Sequence, residues 1–216
     1  DRARETLGFA IRLLSFVALP ATAFALAVAR PLVGALFGGG QYTTAAVAAT
    51  ASALFCYSAG LPFQGLTKLL ASTSYAWKDT RLPVWASALN LVVFFVLGKL
   101  LLADFGIAGI AAAASAGQAA NCAVLMVGNG LAGRLPRAAP VLIGVVRHLV
   151  AAAFTGVAAA FGARMLGEVQ RTSVRGLGSL ALLGAAAGAI YLVLLVAMRA
   201  PEWRELRTVL GRRRRQ

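Results

Sequence analysis

Apolar residues run continuously along most of this chain, and short polar or charged clusters interrupt them. Continuous apolar runs of about 20 residues read as membrane-crossing helices, whereas barrel strands would alternate. Six runs stand out: Phe9–Ala29, Ala45–Ala76, Leu82–Ala103, Ile107–Val127, Val141–Ala163 and Leu177–Met198. The pattern predicts an all-α polytopic transmembrane helix bundle of six spans. The second run would be ~48 Å long as a straight helix, against a hydrocarbon core of ~30 Å. It must tilt, bend or protrude. Gly60-Leu61-Pro62 supplies a hinge, because Pro62 removes a backbone donor and crowds the turn before it.

Composition agrees with the pattern. The 216 residues are 60% hydrophobic and 13% charged, and a soluble domain carries about 25% charged residues. The net charge of +14 raises nucleic acid as a partner. The basic residues sit between apolar runs and in the tail, so membrane topology accounts for them and no nucleic-acid partner is expected. With the N-terminus inside, sixteen of the 21 Lys and Arg residues lie on the cytoplasmic side; the outer five are Arg30, Lys99, Arg164, Arg171 and Arg175. The bias predicts both termini of the segment in the cytoplasm, with Arg212 to Arg215 as a topology anchor attracted to anionic lipid. The chain starts at Asp1 without a methionine or a clear signal peptide, which reads as a piece of a longer protein.

Candidate chemistry is sparse. No carboxylate falls in mid-span, so a proton relay within these helices has no acid to use. Cys56 and Cys122 have no metal-ligand spacing and read as small buried hydrophobes. His148, the only histidine, reads as an interfacial side chain at the inner end of the fifth span. No metal site, cofactor or catalytic constellation emerges, so no enzyme is expected. Gln64, Thr67 and Lys68 on the second span, Asn90 on the third, and Gln118 and Asn121 on the fourth remain. Uncharged polar residues in spans hydrogen-bond neighbouring helices. Lys68 has two readings: it snorkels to the inner interface, or it faces a wet cavity and pairs with an anionic substrate. Gln64 and Lys68 share a helix face, as do Asn90 and Ser87. Substrate-cavity candidates are therefore Lys68, Gln64 and Asn90. Gly184-x3-Gly188, Gly156-x3-Ala160 and Ala113-x3-Gly117 are small-residue faces that let helices approach closely.

The stretch Ser74-Tyr-Ala-Trp-Lys-Asp-Thr-Arg-Leu-Pro83 reads as an inner hairpin loop. Tyr75 and Trp77 suit the membrane interface, and Lys78 and Arg81 hold the loop inside. Asp79 or Thr80 caps the next helix, with Pro83 in its first turn.

This stretch also carries a resemblance. Residues 57–85 match at Tyr57, Gly60, Leu61, Lys68, Tyr75, Ala76, Asp79, Thr80 and Pro83 the most characteristic segment of the lipid II flippases, the MurJ/MviN family. Residues 30–43, Asn90 and the run 105–115 fit the same family. The resemblance implies a fourteen-span, two-lobe transporter of which these are the last six spans. Residues 1–130 would supply four spans of the C-terminal lobe, 131–198 two additional spans, and 199–216 a basic cytoplasmic tail. It implies translocation of an undecaprenyl-pyrophosphate-linked peptidoglycan precursor across the bacterial cytoplasmic membrane by alternating access. The implied partners are that lipid-linked precursor, membrane lipids and the N-terminal lobe, which would hold the cationic cavity residues. Val141–Met198 would shape a groove for the lipid tail. Two alternatives stay open: an exporter of polysaccharide-lipid or drugs in the same superfamily, and a non-transporting membrane scaffold.

Overall fold

The computed structural model of the chain describes residues 2–39, 41–165 and 174–197. Among them are six helices: α1 (Arg2–Phe37), α2 (Thr44–Ser58), α3 (Leu61–Ala76), α4 (Arg81–Leu131), α5 (Ala138–Met165) and α6 (Val174–Ala197). The basic tail, with Arg212 to Arg215, lies outside the described residues, as do Arg171 and the carboxylates Glu168, Glu202 and Glu205. The apolar stretches divide differently from the expectation but cover the same ground. α1 extends past Phe9–Ala29 at both ends and carries Pro20 and Pro31 inside it. Residues 31–37, beyond the predicted end of the first span, are helical.

The 51 residues of α4 contain one non-helical residue, Gly106, at φ 55 and ψ −132. A left-handed φ costs a side chain its steric freedom, so glycine is the residue that fits this corner. The chain reverses there. A Cβ on Gly98 would touch Ala113, one on Gly117 would clash with the Asn90 carboxamide, and one on Gly128 would clash with Leu82. These pairs converge on Gly106 from both sides, so 81–105 and 107–131 form an antiparallel hairpin. They are the third and fourth predicted spans. Together with α1, the α2–α3 segment, α5 and α6, the hairpin gives six apolar crossings, and five helical stretches are long and apolar enough to cross a membrane before α4 is divided.

The second predicted span is two helices. α2 stops at Ser58, and Ala59-Gly60 form a turn before α3 begins at Leu61 with Pro62 in its first turn. Pro62 therefore does not kink a continuous helix. It starts a new one, where its missing N–H costs nothing. A Cβ on Gly60 would lie 2.6 Å from the Ser115 hydroxyl and 3.1 Å from its Cα, so the break is also where α3 meets the 107–131 arm.

Two long parallel contacts organise the bundle. α1 and α5 run side by side from Gly8 against Pro136 and Val141 to Ala23 against Gly156. Farther along, Val28, Ala35 and Ala163 share one buried cluster. α6 runs back along this pair, with Gly184 against Phe24 and Tyr191 against Phe16. The second parallel pair is α3 with the 107–131 arm, through Leu70, Leu125 and Cys122. Successive crossings thus alternate in direction, and Arg2 and Ala197 end at the same end of the bundle.

Small-residue motifs act here as contact points with unequal weight. Gly156 and Gly117 are closed in, whereas a Cβ on Gly188 would meet nothing within 4 Å. Gly117→Ala is expected to cost about 1–3 kcal/mol by overpacking. Gly188→Ala is expected to be neutral or to stabilise by up to ~1 kcal/mol through helix propensity. Thermal unfolding of the full-length protein in detergent checks both; equal effects would remove the distinction.

Candidate functional site at the broken helix

A helix that stops inside an apolar layer leaves carbonyls without amide partners, and hydrocarbon offers no water to satisfy them. At the α2–α3 break the Gly60 amide turns back to the Tyr57 carbonyl at 3.0 Å and so leaves the Cys56 carbonyl free. The Ser115 hydroxyl donates to that Cys56 carbonyl at 2.7 Å and lies 3.3 Å from the Tyr57 carbonyl. Ser115 belongs to the run 105–115, where its hydroxyl is the only polar side-chain group after Asp104. Sequence reading gave it no role, because the carbonyl it serves is on another helix.

A polar pocket of about 260 Å³ opens beside this junction. Gln64 lines it from α3, Tyr57 from α2, Ser87 and Asn90 from the 81–105 arm, and Ser115 and Gln118 from the 107–131 arm. The Gln64 carboxamide donates to the Tyr57 hydroxyl at 3.3 Å. The Gln118 Oε1 is buried without a hydrogen-bond partner among the described residues. No charged side chain lines the pocket. Beside the apolar Leu91, Phe94 and Ala114, its polar groups are hydroxyls and carboxamides, which donate to and accept from uncharged polar groups.

The structure brings together two of the three cavity candidates, Gln64 and Asn90, along with Gly60 of the hinge. Lys68 does not line this pocket; its side chain is exposed one turn farther along α3. His148, read as interfacial, faces into the bundle. It is fully buried, with its ring edge-on to Phe16 at 5.8 Å, because α1 and α5 pack so closely that this α5 position faces the inter-helix seam. Cys122 is buried in the α3–hairpin cluster.

The inner-loop residues form a second, distinct arrangement. α3 ends with Lys78 at φ 58, and the 107–131 arm ends with Gly133 at φ 65. In each case the next amide reaches back five residues: Asp79 to the Ser74 carbonyl and Arg134 to the Asn129 carbonyl, both at 2.9 Å. This is the Schellman helix ending, made twice in register. The corresponding residues then join across the two ends. Arg134 donates to Asp79 at 2.8 Å. Asn129 donates to the Ser74 hydroxyl at 3.0 Å and to the Leu70 and Leu125 carbonyls at 3.3 and 2.9 Å. Ser74 and Asn129 are fully buried. Of the two proposed caps, Asp79 serves: its Oδ1 accepts from the Leu82 amide at 3.2 Å, and Thr80 makes no side-chain cap. Pro83 is buried in the first turn, Arg81 and Thr80 are exposed, and Tyr75 is exposed on the last turn of α3. Sequence reading counted Arg134 only as a loop charge and passed over Asn129, an amide at the end of an apolar run.

The lipid II flippase MurJ family model matches residues 1–174. The chain belongs to the lipid II flippase MurJ family. Its relatives include a probable lipid II flippase MurJ of Vibrio cholerae, 32% identical over 133 residues, which are 62% of this chain and 25% of that protein. One from Rhizobium meliloti is 29% identical over 143 residues, 66% of this chain and 27% of that protein. The chain thus spans about a quarter of the curated MurJ relatives it matches. A solved MurJ structure in an inward closed conformation superposes with a TM-score of 0.70 at 18% identity, covering 95% of this chain and 41% of that one. That likeness establishes the polytopic helical fold.

The guanidinium of Arg134, then the Leu82 amide, hold the Asp79 carboxyl below the usual carboxylate range. Because folding lowers this pKa, the stabilisation is complete above the ordinary value of about 3.9 and is lost as pH falls through the lower folded value. Asp79→Asn should therefore flatten part of the stability loss that the full-length protein shows on acidification below about pH 4. Thermal unfolding of both proteins across that range checks it; identical pH profiles would exclude the pair as a contributor.

Proposed function

We propose that this chain is the C-terminal part of a flippase that translocates the undecaprenyl-pyrophosphate-linked peptidoglycan precursor, lipid II, across the bacterial cytoplasmic membrane by alternating access. The family match over residues 1–174 carries this reading. The fold suits it physically. A bundle with a helix interrupted inside the apolar layer offers both a polar recess and a place to bend. In this reading Gly60 and Pro62 are the bending point, and Gln64 and Asn90 face the hydrophilic part of the substrate path. Lys68, exposed on the same helix, meets anionic groups where the pathway widens. Tyr75, Asp79, Thr80, Arg81 and Pro83 form the cytoplasmic loop that keeps α3 and α4 in register during the motion.

The charge distribution supports placing both ends of the segment in the cytoplasm, and the alternating helix directions are compatible with that. Strong cationic contacts to the pyrophosphate belong to the N-terminal lobe in this reading, since the polar pocket here is uncharged.

Depletion of the full-length protein should accumulate lipid-linked precursor on the inner leaflet. Normal wall synthesis without accumulation would instead indicate an exporter of another substrate or a scaffold. Within the full-length protein, Gln64→Leu with Asn90→Leu is expected to lower flipping about tenfold, the loss of one or two substrate hydrogen bonds. Undiminished flipping by a folded double variant would take the pocket out of the substrate path.

A further inference from the structure

The break between α2 and α3 gathers two donors and two acceptors at one place. The Gly60 amide donates to the Tyr57 carbonyl at 3.0 Å, and the Ser115 hydroxyl donates to the Cys56 carbonyl at 2.7 Å. The Gly60 bond reaches back three residues, the bond of a 3₁₀ turn. In an α-helical turn the same amide would reach back four, to Cys56. That would release the Tyr57 carbonyl, which the Ser115 hydroxyl already approaches to 3.3 Å. The two pairings use the same four groups, and neither leaves a group bare. A layer that penalises every unmet backbone group accepts both.

The backbone lies close to the exchange. Ala59 sits at φ −61 and ψ −25, and Gly60 at φ −79 and ψ −16. Both are in the right-handed helical region, with ψ nearer a 3₁₀ turn than the α-helical value of about −42°. About 20° of change in each ψ separates the two endings. Such tighter turns between helical stretches often mark hinges. The helices on either side are held unequally within the segment. α3 is tied to the 107–131 arm by Asn129 with Ser74 and by Arg134 with Asp79. Of the 15 residues of α2, Ala51 and Ser58 are buried, and the loop before it turns through Gly39 at φ 134. Tilting α2 by about 15° would carry its far end, ~22 Å away, by about 6 Å.

We propose that Ser115 is the positioning residue of a two-position latch. Its hydroxyl and the Gly60 amide exchange the Cys56 and Tyr57 carbonyls, and α2 changes tilt against the fixed pair of α3 and the 107–131 arm. The exchange reaches the polar pocket through Tyr57, whose hydroxyl accepts from the Gln64 carboxamide across the break at 3.3 Å. Moving the end of α2 breaks or restores that bond and so widens or closes the pocket at this wall. The exchanging groups all lie at the junction of α2, α3 and the 107–131 arm, so the latch does not depend on what covers the outer faces of the bundle. Its part in transport rests on the flippase reading; the exchange itself does not.

The two tilts are read as distances by double electron–electron resonance on the full-length protein, in lipid nanodiscs without substrate. Ala45→Cys on α2 and Leu131→Cys on the 107–131 arm, both exposed positions, carry the labels. The background is cysteine-free, and Cys56→Ala keeps the backbone carbonyl that the latch uses. Two populations are expected, differing by up to ~6 Å. Ser72→Cys with Ile107→Cys, across the fixed pair, should give one. Ser115→Ala should merge the two populations into one broad distribution, and Ser115→Thr, which keeps the hydroxyl, should restore them. A single distance for the α2 pair with Ser115 in place, or two populations unchanged by Ser115→Ala, would overturn the proposal. The measurement with Ser115 in place decides even if Ser115→Ala does not fold. With no substrate present, a transporter of another cargo would give the same two distances, so failure of the flippase reading and failure of the latch are separate results.

Discussion

Asn129 reaches from the last turns of the 107–131 arm into the end of α3, where its amide nitrogen meets the Ser74 hydroxyl and the Leu70 carbonyl. In an apolar layer an amide without partners is costly, so its bonds select one relative position of the two helices. The ion pair of Arg134 with Asp79 holds the same offset of 55 residues just beyond the helix ends. Much of the lobe depends on that register. It places Ser115 against Gly60, where its hydroxyl takes over the Cys56 carbonyl left by the break between α2 and α3. Without a neighbour in that position the break would bury unsatisfied backbone. With it, the chain can stop and restart inside the apolar layer, and the polar pocket forms at the restart.

The two ends of this parallel pair are therefore under different kinds of control. The loop end is fixed by two left-handed residues, Lys78 and Gly133, a buried amide network and an ion pair. The other end is fixed by close backbone approach at Gly60 and a single hydroxyl. In the proposed transport cycle the dense end would be the anchor and the sparse end the place that moves, since moving elements generally carry fewer stabilising contacts.

The α1–α5 pair obeys a simpler rule. Gly8, Ala23 and Gly156 permit contact of small surfaces along a great length. The same closeness buries His148 and collects Arg30 and Arg164 at one cleft. Charges that topology alone spreads along a sequence become neighbours through helix register.

The sequence by itself determined the material of this protein. Continuous apolar runs require helices, because only helices satisfy every backbone group within one segment in hydrocarbon. The corner between the third and fourth spans was legible as the gap between Ala103 and Ile107, the interruption of the second span at Gly60 and Pro62, and the hairpin loop at Asp79 and Pro83. These are local events, written in φ preference, missing amides and capping chemistry. Tertiary structure decided which distant residues share a surface. Gln64 and Asn90 meet with Gln118 while Lys68 stays outside, Ser115 serves another helix's carbonyl, and Asn129 joins Ser74. Those pairings follow from the offset between helices, a quantity set by packing and buried hydrogen bonds together. No single stretch of sequence states it.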